Sequence, residues 1–150
     1  MSMLLPILIK LFDRDLKKLR SEIELYQSEA VLWKVAKGIN NSGGNLCLHL
    51  VGNLNTYIGA TLGNSGYIRQ REFEFSLKDI PKAELLQKID ATLTVVERTL
   101  SQLNESDLDK EYPLLVFAEK TSTRYFLVHL ATHLAYHLGQ INYHRRLLDL

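Results

Sequence analysis

The chain has 150 residues, with 18 basic and 17 acidic side chains, five histidines and one cysteine. That length suits a single domain over residues 1–150 with a sizeable core, and a formal net charge of +1 lacks the basic footprint of a nucleic-acid binder. The lone Cys47 excludes an intrachain disulfide and fits a reducing cytoplasm, and no run reaches the ~18 apolar residues of a membrane-spanning helix.

The opening MSMLLPILIKLF lacks the basic start and small-residue cleavage site of a signal peptide, so it reads as the beginning of a helix. That first helix is predicted from about Leu4 to Glu29. Leu4, Leu8, Leu11, Phe12, Leu16, Leu19, Ile23 and Tyr26 recur every three or four residues, while Lys10, Asp13, Arg14, Lys17, Lys18 and Glu24 supply the solvent face. A stretch through Trp33 to Lys37 leads into the breaker cluster Gly38 to Gly44.

The second helix is predicted over roughly Asn45 to Leu62. Residues 38 to 68 contain no Asp, Glu, Lys or Arg, but Asn45, His49, Asn53 and Asn55 argue for a buried central helix rather than one facing lipid. Gly52 and Gly59 are seven apart, on one face, where close helix packing or room for a ligand offsets the cost of helical glycine. Close packing is the simpler of the two. Residues 63 to 78 read as a loop containing Arg69, Arg71, Glu72 and Glu74. A third helix starts near Asp79 as N-cap, with Pro81 in its first turn and a seam of Leu86, Ile89, Leu93, Val96, Leu100 and Leu103. A second connection over 104 to 120 precedes a fourth helix from about Thr123 to Leu148. Four amphipathic helices with two long connections predict an all-α four-helix bundle, whose metal sites lie in the core between facing helices.

Four of the five histidines, His129, His133, His137 and His144, fall within 16 residues in HLATHLAYHLGQINYH, and His49 stands alone upstream in LCLHLVGN. Histidine is the commonest protein metal ligand, and spacing by four stacks side chains one turn apart on a helix face. With His133 at zero on a helical wheel, Leu130, Leu134, Ile141 and Leu148 fall at roughly +60° to +100°, the centre of the buried stripe. His137 lies near +40° and His129 near −40°, so His133 and His137 are the pair able to point inward together. His144 also faces the core, near +20°, but about 10 Å beyond His137 along the axis, too far to share an ion with His133. His49 is the natural third ligand if the second and fourth helices are neighbours.

Cys47 is two residues from His49, about 200° away, and reads as a small buried hydrophobe. Tyr136 and Tyr143, on another face of the fourth helix, read as packing or interface residues. Gln140 lies close to the His133 direction, placed to bond a ligand, a neighbouring helix or the second nitrogen of a metal-bound histidine. There is no HExxH, Glu-x-x-His, GxSxG, P-loop or Rossmann fingerprint, which argues against zinc-protease, di-iron carboxylate and nucleotide chemistry.

HLVGNL in the second helix and HLATHLAYHLGQI in the fourth resemble the DinB-like (YfiT-like) superfamily over essentially the whole chain. The resemblance implies a bundle in up-down-down-up order, often a homodimer. It also implies one divalent metal held by His49, His133 and His137, the pair being followed by Gly139-Gln140. His129 and the Tyr136-His137 pairing resemble a branch of undefined function. Some relatives are transferases or isomerases that use low-molecular-weight thiols; the family name does not imply DNA binding.

Three neutral imidazoles leave the charge of a dication uncompensated and coordination positions open, the mark of catalytic zinc. The leading expectation is a metal-dependent enzyme using an activated thiol or water, with S-transfer ahead of hydrolysis. Zinc or nickel is the foremost metal, with iron, manganese or copper as alternatives. The competing expectation is a non-catalytic metal- or small-molecule-binding bundle with a sensing or interaction role.

Overall fold

The computed structural model describes residues 3–150. Among them every regular element is helical. The α-helices are α1 (Leu4–Leu25), α2 (Glu29–Leu32), α3 (Gly43–Leu54), α4 (Arg71–Ser76), α5 (Lys82–Ser101) and α6 (Thr123–Leu148). From α3 the rod continues through a π-helical turn, Asn55–Ala60, into Thr61–Gly63, and a short 3-10 turn, Glu105–Asp109, precedes α6. No helix among the described residues is long and apolar enough to cross a membrane.

The packing makes this a helical bundle. α1 lies against α5 and α6, and α3 lies against the same two helices from the other side. The three-and-four spacing of α1 buries Leu5, Leu8, Phe12, Leu16, Leu19 and Ile23 on one stripe. Every residue of α3 from Gly43 to Leu54 is buried, which explains the missing charges: a solvated side chain has nowhere to go on a helix surrounded by protein. The central helix expected from the uncharged segment is therefore present.

Three boundaries differ from the sequence reading. α1 stops at Leu25 rather than Glu29, because the Asp149 carboxylate accepts from the backbone N–H groups of Gln27 (2.6 Å) and Ser28 (3.1 Å). Those donors turn outward, and Ser28 then caps α2 by accepting from the Val31 N–H. Asp79 is not an N-cap: its φ of 59° is left-handed, and Pro81 occupies the cap of α5. The expected loop over 63–78 contains α4, whose six residues are too few to print a helical period. α6 spans Thr123–Leu148 as the periodicity indicates, started by Ser122, whose Oγ accepts from the Tyr125 N–H at 3.1 Å.

Gly52 and Gly59 do not share a partner. A Cβ on Gly59 would press on Val95 of α5, whereas one on Gly52 would overlap the Glu74 carboxylate of α4. The reason is the wide turn at Asn55–Ala60, which breaks the 3.6-residue count between them.

Candidate metal centre

His49 projects from the middle of α3, and His133 and His137 project from successive turns of α6, which packs against it. Their Nε2 atoms converge: His49 to His133 is 3.2 Å and His137 to His133 is 3.1 Å. One ligand nitrogen from each lies within 4.8 Å of the others, so the three could hold a metal ion. The helices thus bring together the three residues singled out by spacing. His49 is buried and the other two are half-buried, so the cluster sits at the margin of the core.

A second layer fixes the rings. Nδ1 of His49 lies 3.0 Å from Oε1 of Glu74. A carboxylate only accepts, so this nitrogen carries the proton and Nε2 is left with a free lone pair. Arg69 grips the same carboxylate with two bonds, Nε to Oε2 at 2.8 Å and a terminal amine to Oε1 at 2.9 Å. Burial alone would raise the pKa of Glu74, but the bonds from His49 and Arg69 and the guanidinium charge outweigh it and hold the carboxyl below its ordinary value. Arg69 in turn lies over the Tyr57 ring, 5.6 Å from its centroid. Glu74 is buried, and an unpaired carboxylate there would be costly, so the Arg69 contact is what makes its position tenable.

Asn45, one turn before His49, holds α4 in place. Its amide donates to the carbonyls of Glu74 (3.0 Å) and Leu77 (2.9 Å), two of the acceptors a helix end leaves unmatched. Gly52, three residues after His49, leaves the space that the Glu74 carboxylate occupies. One face of α3 therefore presents a ligand, a clamp for α4 and a gap for the carboxylate. Phe75 closes over the His49 ring at a centroid distance of 5.0 Å.

On α6, Nδ1 of His137 donates to Oε1 of Gln140 at 2.7 Å, again leaving Nε2 as a bare acceptor. Gln140, left open between three roles by the sequence, takes the third. Two lone pairs thus face Nε2 of His133, while Nδ1 of His133 is buried without a hydrogen-bond partner. Neutral His133 has one proton and cannot satisfy both flanking acceptors fully, whichever nitrogen carries it. A cation shared by the three Nε2 atoms satisfies all of them. The spacings also fit: metal–nitrogen bonds of ~2.0–2.1 Å at near-tetrahedral angles put ligand nitrogens roughly 3.3 Å apart. Burial, followed by the neighbouring His137, His49 and His129, pushes the His133 pKa down to about 4. Burial also lowers that of His137, against the raising effect of its bond to Gln140. Neutral imidazole is the form that binds metal.

The remaining candidates fall outside the cluster. His129 is half-buried, its ring edge-on to Phe117 at 4.7 Å and stacked 6.1 Å from His133. His144 is wholly structural. Its Nε2 donates to the Lys34 carbonyl at 2.8 Å, so its Nδ1 accepts from the Tyr26 hydroxyl at 2.7 Å. Cys47 is completely buried, and burial pushes its thiol up to about 12. Tyr136 and Tyr143 are exposed.

Glu74, Arg69 and Asn45 support the histidine cluster, and the sequence reading did not single them out. Their one usable signal is Gly52, a glycine one turn from His49 on a buried helix, which reserves space for something beside the ligand.

The family model described as "Protein of unknown function (DUF1572)" matches residues 5–149. No curated protein matches the chain.

Proposed function

We propose that this chain, which belongs to the DUF1572 family, is a divalent-metal-binding protein whose His49, His133 and His137 hold one ion through Nε2. The observation that carries this is the convergence of three Nε2 atoms, two of which face inward as bare acceptors because Glu74 and Gln140 take the Nδ1 protons. An all-nitrogen set suits zinc or nickel first, then iron, manganese or copper.

The DinB-like reading is supported by the same residues, a histidine on α3 and the α6 pair followed by Gly139-Gln140. Helix directions support its up-down-down-up four-helix order. The backbone N–H of Leu5 bonds to Glu105, just ahead of α6, and Tyr26 beyond the end of α1 bonds to His144 near the end of α6, so these two run the same way. Gly43, the first residue of α3, lies against Tyr26, so α3 runs back. Gly59 against Val95 and Gly63 against Thr99 give α5 the direction of α3. The lone, buried Cys47 suits a reducing cytoplasm.

His49, His133 and His137 would hold the ion as neutral imidazoles, and a metal so held would supply activation of a water or thiol near neutral pH. The chain's own residues hold the ligand rings in place. Glu74 and Gln140 fix two ring orientations, Arg69 neutralises the buried carboxylate, and Phe75 packs on the His49 ring. We assign the reaction to transfer onto the sulfur of a low-molecular-weight thiol, with hydrolysis second.

The test is metal content by elemental analysis, on protein purified without chelator or nickel affinity, beside His133→Ala. One equivalent in the wild type and none in the variant is expected; no metal and no uptake on titration refutes the site. Thiol-transfer and hydrolysis assays on the loaded protein follow. The alternative is a non-catalytic metal- or small-molecule-binding bundle that senses or docks. It is favoured by Glu74, the carboxylate beside the triad, being already engaged by His49 and Arg69 and so unable to serve as base. Tight metal binding without turnover supports that reading.

A further inference from the structure

Two of the three ligand rings have an outer partner, Glu74 for His49 and Gln140 for His137. His133 has none, and its Nδ1 is buried without a hydrogen bond. A matching orphan lies on the helix opposite. Asn53, one turn past His49 on α3, is 7% exposed, and its Oδ1 is also buried without a partner. Buried polar atoms are nearly always paired, so each orphan calls for an explanation. These two are complementary: a ring nitrogen able to donate, and an amide oxygen that only accepts.

Helix geometry places Asn53 on the α6 side of α3. With His49 at zero and about 100° per residue, Asn45 and Gly52 fall near about −40° and −60°, and both meet α4. Leu46 falls near about +60° and lines a cavity with Gln140, Tyr143 and His144 of α6. Asn53, near about +40°, belongs with Leu46. Register gives its height. α3 and α6 run in opposite directions: a Cβ on Gly43 would lie 3.3 Å from Nδ1 of His144, His49 meets His133 and His137, and the Tyr57 ring stands edge-on to Phe126 at 5.2 Å. Asn53, midway between His49 and Tyr57, is therefore level with the turn from His129 to His133. On that turn His129 is half-buried and edge-on to Phe117, whereas His133 has the buried, unmatched nitrogen.

We propose that Asn53 is the positioning residue of His133, its Oδ1 accepting the Nδ1 proton when Nε2 holds an ion. This rests on the metal-binding reading above. Neutral imidazole has one proton; with Nε2 given to a metal, that proton sits on Nδ1 and needs an acceptor. A proton on Nε2 instead would leave two acceptors, Nδ1 and Oδ1, unpaired on facing helices, whereas a proton on Nδ1 lets them bond, directly or through one buried water. Glu74 and Gln140 serve the other two rings in this way, and Asn53 completes the set. The α3 face that carries His49 thus also carries the support for a ligand on α6.

Zinc affinity of the full chain, by chelator competition, tests this, with thermal melting in chelator to verify folding. Asn53→Leu is close in size and cannot accept. It is expected to bind zinc about 10–100-fold more weakly, the usual loss for an outer partner, while its Tm in chelator does not fall, since Oδ1 has no hydrogen bond to lose. A merely structural asparagine would lower both together. Asn53→Asp keeps an acceptor and is expected to restore wild-type affinity or better. In zinc-loaded protein carrying isotope-labelled histidine, the His133 ring N–H resonance is expected to move downfield in Asn53→Asp, where the bond gains charge assistance, and upfield in Asn53→Leu. Thr56→Val removes another unmatched oxygen, on the next turn, and is expected to change neither affinity nor resonance. No zinc uptake by the wild type overturns the metal centre and this inference with it. Zinc uptake by the wild type with Asn53→Leu equally tight, or a His133 resonance that neither Asn53 variant moves, overturns the role of Asn53 alone.

Discussion

Gly52→Ala separates the positioning of His49 from the stability of the fold. The added methyl would overlap the Glu74 carboxylate and leave the α3 backbone undisturbed. The carboxylate sits at the end of a flexible side chain, so it moves and the helix stays. Its bond to Nδ1 of His49 is then lost. Loss of such an outer partner typically weakens metal affinity 10–100-fold, or about 1.4–2.7 kcal/mol. Fold stability moves by an amount of similar size or smaller, and is read separately. Leaving a buried hydrogen-bonding group unmatched costs about 1–3 kcal/mol, and replacing a helical glycine by alanine returns up to ~1 kcal/mol. Competition titration of zinc against a chromophoric chelator measures the first quantity, and thermal melting in chelator measures the second. Gly59→Ala is the control: its methyl would stand 2.8 Å from Val95 Cγ1, so it strains the contact with α5 and leaves zinc affinity alone. In a Glu74→Ala background Gly52→Ala has nothing to displace and no further loss is expected. Zinc affinity within threefold of wild type in Gly52→Ala would falsify the assignment of Glu74 as the residue that positions His49.

Other perturbations address single contacts. Gln140→Leu removes the acceptor for Nδ1 of His137 and should weaken zinc binding about tenfold, at the lower end of the outer-partner range, by the same titration. Tyr26→Phe removes the hydroxyl bonded to His144 and should cost about 1–3 kcal/mol, lowering Tm by roughly 3–10 °C with no change in zinc affinity. Cys47, fully buried with its thiol pushed up to about 12, remains a protonated and shielded thiol at neutral pH. A disulfide reagent at pH 7.5 should modify it only after denaturation, and prompt labelling of native protein would contradict its burial. Removing metal from loaded protein should lower Tm, since a ligand present at ~100 Kd adds about 2.7 kcal/mol to the folded state.

The parts of this molecule that repeat along a helix were legible in the sequence. The apolar spacing of Leu8, Phe12, Leu16 and Leu19 marks the buried stripe of α1, and the four-residue spacing of His133 and His137 puts both rings on one side of α6. What lies outside a helical period was not legible. α4 is too short to show one, and Glu74 reaches His49 only because Asn45 draws the α4 carbonyls onto α3. Asp79 looks like a cap by residue type, but its backbone is left-handed. His144 is set apart from the ligand pair by its distance along α6, but the partners that hold it, Tyr26 and Lys34, are not legible in sequence spacing.

His49 and His133 are 84 positions apart in the chain, and their rings meet across the α3–α6 contact. An ion held between them therefore closes most of the chain into a loop, acting as a reversible cross-link. In the chain-entropy account, tying off a loop of ~100 residues restricts the unfolded chain by about 4–5 kcal/mol. A metal that grips His49 and His133 before the chain folds would restrict the search for the native arrangement, and one that leaves would release it. Refolding rates with and without metal then report on the order of events: acceleration means that the ion joins α3 to α6 early, and unchanged rates mean that the bundle forms first and the ion enters a finished site.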